Sequence, residues 1–182
     1  MEHKKKEILN IYSGSDVGHQ IAIEDYYETL NYKDFYARVQ ALAFNWEKSE
    51  ESSSIAIFLP PCIDMFVVVH AALVSNRPFV LSGAEVPPEY AKKIMEDSVC
   101  GIAVTPASWR DFFLSNRIGF TIEDLKNGND VLVCRRDLRL EQNTFSSTKI
   151  RLSEVAYIVF TSGSTGVPKP VAISKESLRI YS

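Results

Sequence analysis

The eight residues Ser54 to Pro61, SIAIFLPP, constrain the fold more than any other stretch of the chain. Every side chain from Ile55 to Leu59 is apolar, and two prolines stop the run. A strand with one wet face alternates apolar and polar residues. A strand that is apolar throughout is covered on both faces, as parallel strands in α/β proteins are. Parallel neighbours also need a crossover connection, usually helical. The downstream pattern supplies one each time: a helix near 63–75, a strand near 79–81, a helix near 89–97 and a strand near 101–105. The fold class expected is therefore α/β: a layered, mostly parallel sheet flanked by helices.

Other elements follow from periodicity. IAI and YETL, within Gln20 to Leu30, read as two short strands around a turn at Glu24-Asp25. Asn31 can cap a helix over 32–47, in which Tyr32, Phe35, Tyr36, Val39, Leu42, Ala43 and Trp46 share one face. The helix near 63–75 is apolar on most sides and should be well covered. Pro87-Pro88 opens the helix over 89–97, with Tyr90, Ala91 and Ile94 expected inward. Further strands are expected near 131–134 and 155–160. Segment 106–130 carries mixed signals, and 135–150 reads as a polar loop. Residues 1–19 read as a flexible tail, and no repeat or low-complexity linker marks a domain boundary across 1–182.

Bulk composition narrows the function classes. Lys plus Arg number 20 against 23 Asp plus Glu, a formal charge of −3, which argues against a nucleic-acid partner or a membrane surface held by charge. The longest apolar run, Met65 to Leu73, is broken by His70 and is too short to span a bilayer. No apolar stretch follows the basic N-terminal residues, so no signal peptide is read there. Cys62, Cys100 and Cys134 are odd in number and widely spaced, which reads as free thiols of an intracellular, cytoplasmic protein, with Cys100 and Cys134 in the core.

The chemistry concentrates in YIVFTSGSTGVPKPVAIS, Tyr157 to Ser174. Thr161-Ser162-Gly163-Ser164-Thr165-Gly166 places four hydroxyls and two glycines in six residues, with Lys169 three residues on. Glycines let backbone amides approach an anion, hydroxyls add donors, and the lysine adds positive charge. These are the parts of a phosphate cradle. The blander reading is a solvated Ser/Gly turn. The string is not an ordinary P-loop: Pro168 stands where the second glycine belongs, and Pro170 replaces the Ser/Thr that would hold magnesium.

Thr161 to Lys169 resembles, position for position, the signature T-S-G-[ST]-T-G-x-P-K-G of the adenylate-forming superfamily: acyl-CoA synthetases, luciferases and peptide-synthetase adenylation domains. ETLNYKDFYARVQALAFNW and the segment from Ser54 to Thr105 are similar to the stretches that precede this loop in the family. The likeness covers roughly Ile21 to Lys175, with 106–150 matched loosely. Pro170, where the family has glycine, and NRPFVLSGAEVPP, in place of the usual G-A-A-Y-V-P-L-D-P, imply a divergent branch.

The resemblance implies an acid–thiol ligase. A carboxylate and ATP give an acyl-adenylate and pyrophosphate, and a thiol of CoA or phosphopantetheine then takes the acyl group. It implies a small carboxylic or amino acid as substrate and ATP with magnesium as cofactors. It gives Thr161, Ser162, Gly163, Ser164, Thr165, Gly166 and Lys169 the task of holding triphosphate, with Lys169 acting on the leaving pyrophosphate. No metal ligand is assigned. A family member runs well past this length, and the adenine, acid and magnesium contacts of the family are not found before Ser182. The chain is accordingly read as an N-terminal portion of one adenylation domain, inactive alone, with SKESLRIYS opening a helix capped by Ser174. The alternatives are a non-catalytic fragment and a structural α/β module with at most weak ATP binding. The oligomeric state is left open. His70, on an apolar helix face, reads as structural, His19 as solvated, and Glu24-Asp25 as a solvated pair.

Overall fold

The computed structural model describes residues 16–47, 53–115, 120–124, 131–136, 152–161 and 169–180. The chain divides into two compact units, Met1–Glu50 with Pro61–Ser75, and Glu51–Pro60 with Asn76–Ser182. No composition shift marks this division, because the chain crosses between the units inside ordinary α/β connections.

In the first unit, β1 (Ile21–Glu24) pairs antiparallel with β2 (Thr29–Asn31), Ile23 opposite Leu30. Asp25 closes the turn. Its Oδ1 accepts the amides of Tyr27 at 2.9 Å and Glu28 at 3.0 Å, and its Oδ2 accepts the amide of Ile63 at 3.0 Å. The expectation of a merely solvated pair is thus corrected for Asp25, a short side chain that serves turn amides well. These amides, Ile63 foremost, hold its carboxyl below the usual range.

Asn31 caps α1 (Tyr32–Glu47) as expected, accepting the Asp34 amide at 2.8 Å. The predicted face is buried at Phe35, Val39, Leu42, Ala43 and Trp46. From the same helix Arg38 forms a two-pronged pair with Glu28, both contacts 2.7 Å. In α2 (Ile63–Val74), Val67, Val68, Ala71 and Ala72 are buried, but Phe66 and Leu73 are more than two-fifths exposed. Composition alone had overstated its coverage. His70 is structural: Nδ1–H donates to the Phe66 carbonyl at 2.8 Å, and its ring meets Phe35 edge-on at 5.1 Å.

The second unit is built on a seven-stranded sheet. Its strands are β3 (Ser54–Ile57), β4 (Phe79–Leu81), β5 (Cys100–Pro106), β6 (Phe120–Asp124), β7 (Val131–Arg136), β8 (Val155–Thr161) and β9 (Lys169–Ser174). Their order is β6-β7-β5-β3-β4-β8-β9. The central pairings β5–β3, β3–β4 and β4–β8 are parallel, while β6–β7, β7–β5 and β8–β9 are antiparallel. The sheet is mixed, so "mostly parallel" holds for its centre and is corrected at its flanks. There the connections are short, six residues between β6 and β7 and seven between β8 and β9, too few for the crossover that a parallel neighbour needs. Arg135 and Arg136, read as loop, extend β7; 137–151 lie outside the described residues.

Ile55 to Phe58 are fully buried, as a strand covered on both faces requires. On one face Ala56, Val80, Ala103 and Ile158 meet Ala91, Ile94 and Met95 of α3 (Pro88–Asp97). Tyr90, expected inward, is instead 53% exposed, and Met95 takes the inner place. Trp109, in a short 3₁₀ turn, and Phe113, in α4 (Arg110–Ser115), complete this layer, with Phe58 and Trp109 rings 5.3 Å apart. Each such large side chain contributes about 1.5–3 kcal/mol by leaving water.

Helix α3 exits through Val99, whose φ is +55°. The amides of Ser98 and Val99 still reach the carbonyls of Ile94 and Glu96, and the Val99 carbonyl accepts the Ser54 amide at 3.1 Å. A β-branched residue holds the left-handed conformation that usually falls to glycine. Beside it Cys100 is buried against Ser54 Oγ at 3.1 Å, and burial pushes its thiol up to about 12. The Cys134 side chain lies outside the described residues.

Candidate functional site

Strand β8 delivers the candidate loop. Val155, Ala156 and Ile158 are buried, so the strand is anchored in the core while its last residue, Thr161, emerges exposed. Strand β9 returns along it, pairing Phe160 with Pro170 and Thr161 with Lys169. Pro170 is tolerated because β9 is an edge strand, where a missing amide costs least. The two ends of the loop are therefore opposite one another on the last rung of a hairpin. Thr161 Oγ1 donates to the Lys169 carbonyl at the long distance of 3.5 Å, and the side chains of Thr161 and Lys169 are both open to solvent.

Of the sequence-predicted site residues, Thr161 and Lys169 are thus brought face to face. Ser162, Gly163, Ser164, Thr165 and Gly166 lie outside the described residues. The rung offers a hydroxyl and an ammonium and no carboxylate, a donor set that suits an anion. Among the described residues no group of three or more His, Cys, Asp or Glu is placed to hold a metal ion.

Beyond the rung, α5 (Lys175–Ile180) begins at Ser174, whose Oγ accepts the Ser177 amide at 3.1 Å, the cap the sequence indicated. The Lys175 ammonium donates to the carbonyls of Ser153 at 2.8 Å and Asn76 at 3.3 Å, and its desolvation lowers its pKa. A groove of about 330 Å³ runs between Ser82, which follows β4, the α3 residues Tyr90, Lys93, Ile94 and Asp97, and Phe160 near the end of β8. Ligands of open α/β sheets gather beyond the carboxyl ends of strands, where Ser82 and Phe160 lie. Sequence reasoning missed this groove. The signal was available in the Tyr90–Ile94 spacing, which puts both residues on one margin of α3.

The arrangement is an α/β one, a mixed sheet flanked by helices. The AMP-binding enzyme family matches residues 14–181, and the chain belongs to this adenylate-forming superfamily. It is 30% identical over 146 residues to nonribosomal peptide synthetase 2 of Cochliobolus heterostrophus, covering 79% of this chain and 2% of that protein. It is 25% identical over 169 residues to 2-succinylbenzoate–CoA ligase of Staphylococcus aureus, covering 85% of this chain and 34% of the ligase. The structure of apo MatB from Rhodopseudomonas palustris superposes with a TM-score of 0.66 at 18% identity, over 97% of this chain and 36% of that one. The o-succinylbenzoate CoA synthetase of Bacillus subtilis, in complex with its acyl-adenylate intermediate OSB-AMP, gives a TM-score of 0.63 at 19% identity, over 91% of this chain and 42% of that one. The chain therefore spans well under half the length of each of these relatives. No helix among the described residues is long and apolar enough to cross a membrane.

Proposed function

We infer that the chain provides the triphosphate-holding part of an enzyme that activates a small carboxylic or amino acid with ATP. One observation carries the reading: Thr161 and Lys169 oppose each other at the mouth of a loop whose sequence is the family signature. The substrate carboxylate oxygen bonds to the α-phosphorus while the bond from that phosphorus to the bridging oxygen breaks, and pyrophosphate leaves. A thiol of CoA or phosphopantetheine then bonds through sulfur to the acyl carbon, AMP departs, and the thiol proton passes to solvent. In the first step Thr161, Ser162, Gly163, Ser164, Thr165 and Gly166 hold the triphosphate, and Lys169 meets the charge that grows on pyrophosphate. The contribution is positioning and charge stabilisation rather than covalent chemistry. Magnesium belongs to the same reading, and no residue of this chain is assigned to it. These substrates place the reaction inside the cell.

Pyrophosphate–ATP exchange by the full-length protein tests the inference. Lys169→Ala removes a charge-assisted contact of about 1.5–3 kcal/mol, which is roughly one to two decades in exchange rate, with an unchanged melt. A rate equal to wild type would return the loop to the status of a plain turn.

A further inference from the structure

We propose that Lys175 is a positioning residue: its ammonium group fixes the register of β9, and with it the sheet face from which Lys169 emerges. A one-residue slip of a strand turns every side chain to the opposite face. Where one face is buried, packing forbids the slip. Strand β9 lacks that protection, since Lys169, Val171 and Ala172 are all exposed and no strict alternation runs along it. Among the described residues it is also an edge strand, bonded only to β8. Something other than burial must set its register.

The far end of the hairpin holds the device. Val155 pairs with Ser174 and Tyr157 with Ile173, so β8 accommodates one extra residue there, a bulge. Lys175 follows immediately. Its Nζ binds the Ser153 carbonyl, just ahead of β8, and the Asn76 carbonyl, ahead of β4. Strands β4 and β8 are parallel neighbours, Phe79 beside Tyr157 and Val80 beside Ile158. One ammonium thus ties the end of β9 to the entries of two core strands. Shifting β9 by one residue would move Lys175 by about 3.4 Å and break both contacts. The functional consequence, correct placement of Lys169, rests on the phosphate reading above; the register claim does not.

The test uses the full-length protein with Lys175→Met, which keeps the aliphatic stem, and Lys175→Arg, which keeps a cationic donor. Cross-strand NMR contacts report the rungs Ile158–Ala172 and Val159–Val171. The Met variant should show a second set displaced by one residue and faster amide exchange along β9, and the Arg variant should keep the native set. Native rungs alone in the Met variant, with unchanged exchange, overturn the proposal. If that variant fails to fold, Lys175→Ala, which also removes the donor, replaces it under the same criterion.

Titration with magnesium pyrophosphate then separates positioning from general damage. Lys175→Met should weaken binding in proportion to the displaced population and by no more than Lys169→Ala does, and the double variant should lose nothing beyond Lys169→Ala. Independent, multiplying losses would assign Lys175 a purely structural role and overturn the positioning claim. An unchanged affinity in Lys169→Ala would instead sink the phosphate reading, leaving the cross-strand contacts to decide the register.

Discussion

Replacing Val99 by glycine and, separately, by alanine measures the backbone cost stored at the exit of α3. Both variants delete the branched part of the side chain, so their difference reports chiefly on conformation. At φ +55° a residue with a Cβ carries a penalty of about 1–2 kcal/mol that glycine escapes. Glycine in turn loses about 0.4–1 kcal/mol through the greater freedom of its unfolded chain. The balance leaves Val99→Gly more stable than Val99→Ala by about 0.5–1 kcal/mol, or roughly 1–4 °C in Tm for a chain of this size. Lys92, exposed within α3, provides the comparison. There alanine should exceed glycine by about 1 kcal/mol. Urea unfolding of the four variants, read as midpoints, gives the two differences with opposite signs. Alanine equal to or better than glycine at position 99 would refute the strain argument, because the left-handed conformation is its only source.

Two further outcomes follow from the titrating groups. Asp25 has its folded pKa depressed by the amides of Ile63, Tyr27 and Glu28, so its contribution is complete above the ordinary aspartate range and fades as pH falls through the lowered folded value. Asp25→Asn should therefore lie below wild type in circular-dichroism melts at neutral pH and converge with it in strong acid; a constant gap at all pH values would contradict the carboxylate's role. Cys100 has its folded pKa raised to about 12, so its contribution is complete below the ordinary thiol range and is lost as pH rises from there toward 12. Iodoacetamide at mildly alkaline pH should label half-buried Cys62 before Cys100 by mass spectrometry, and Cys100→Ala should flatten the alkaline loss of stability; prompt labelling of native Cys100 would count against its burial.

Strands β3, β4, β5 and β8 and helices α1, α2 and α3 were legible in the sequence because each satisfies a periodicity tied to burial. Ile55 to Phe58 admit no half-wet strand, and Phe35, Val39, Leu42 and Trp46 admit no other helix face. Strand β9 was not read as a strand because an edge strand with exposed Lys169, Val171 and Ala172 has no burial to impose a pattern. Strand β6 was not read because its signal is lost in the mixed segment before β7. Asp25 was undervalued because its third partner, the Ile63 amide, is distant in sequence and only tertiary structure supplies it. Tyr90 misled because a large aromatic on an amphipathic helix suits a groove wall as well as a core. At the loop the sequence carried the family signature, while the opposition of Thr161 and Lys169 needed the hairpin.

The position of β8 between a local and a distant partner has a kinetic consequence. It meets β9 across a connection of seven residues, Ser162 to Pro168, but meets β4 only after roughly 80 residues of chain have been gathered in. Closing the longer path costs about 2 kcal/mol more in chain entropy. Hairpins assemble in about 1–10 μs, well before such long-range pairing. On a ribosome, β3, β4 and β5 are also synthesised before β8 appears. The loop-bearing hairpin is therefore expected to arrive as a preformed unit at the open edge of β4. Until it docks, that edge is the surface at which a nascent chain of this kind most readily pairs with the wrong neighbour.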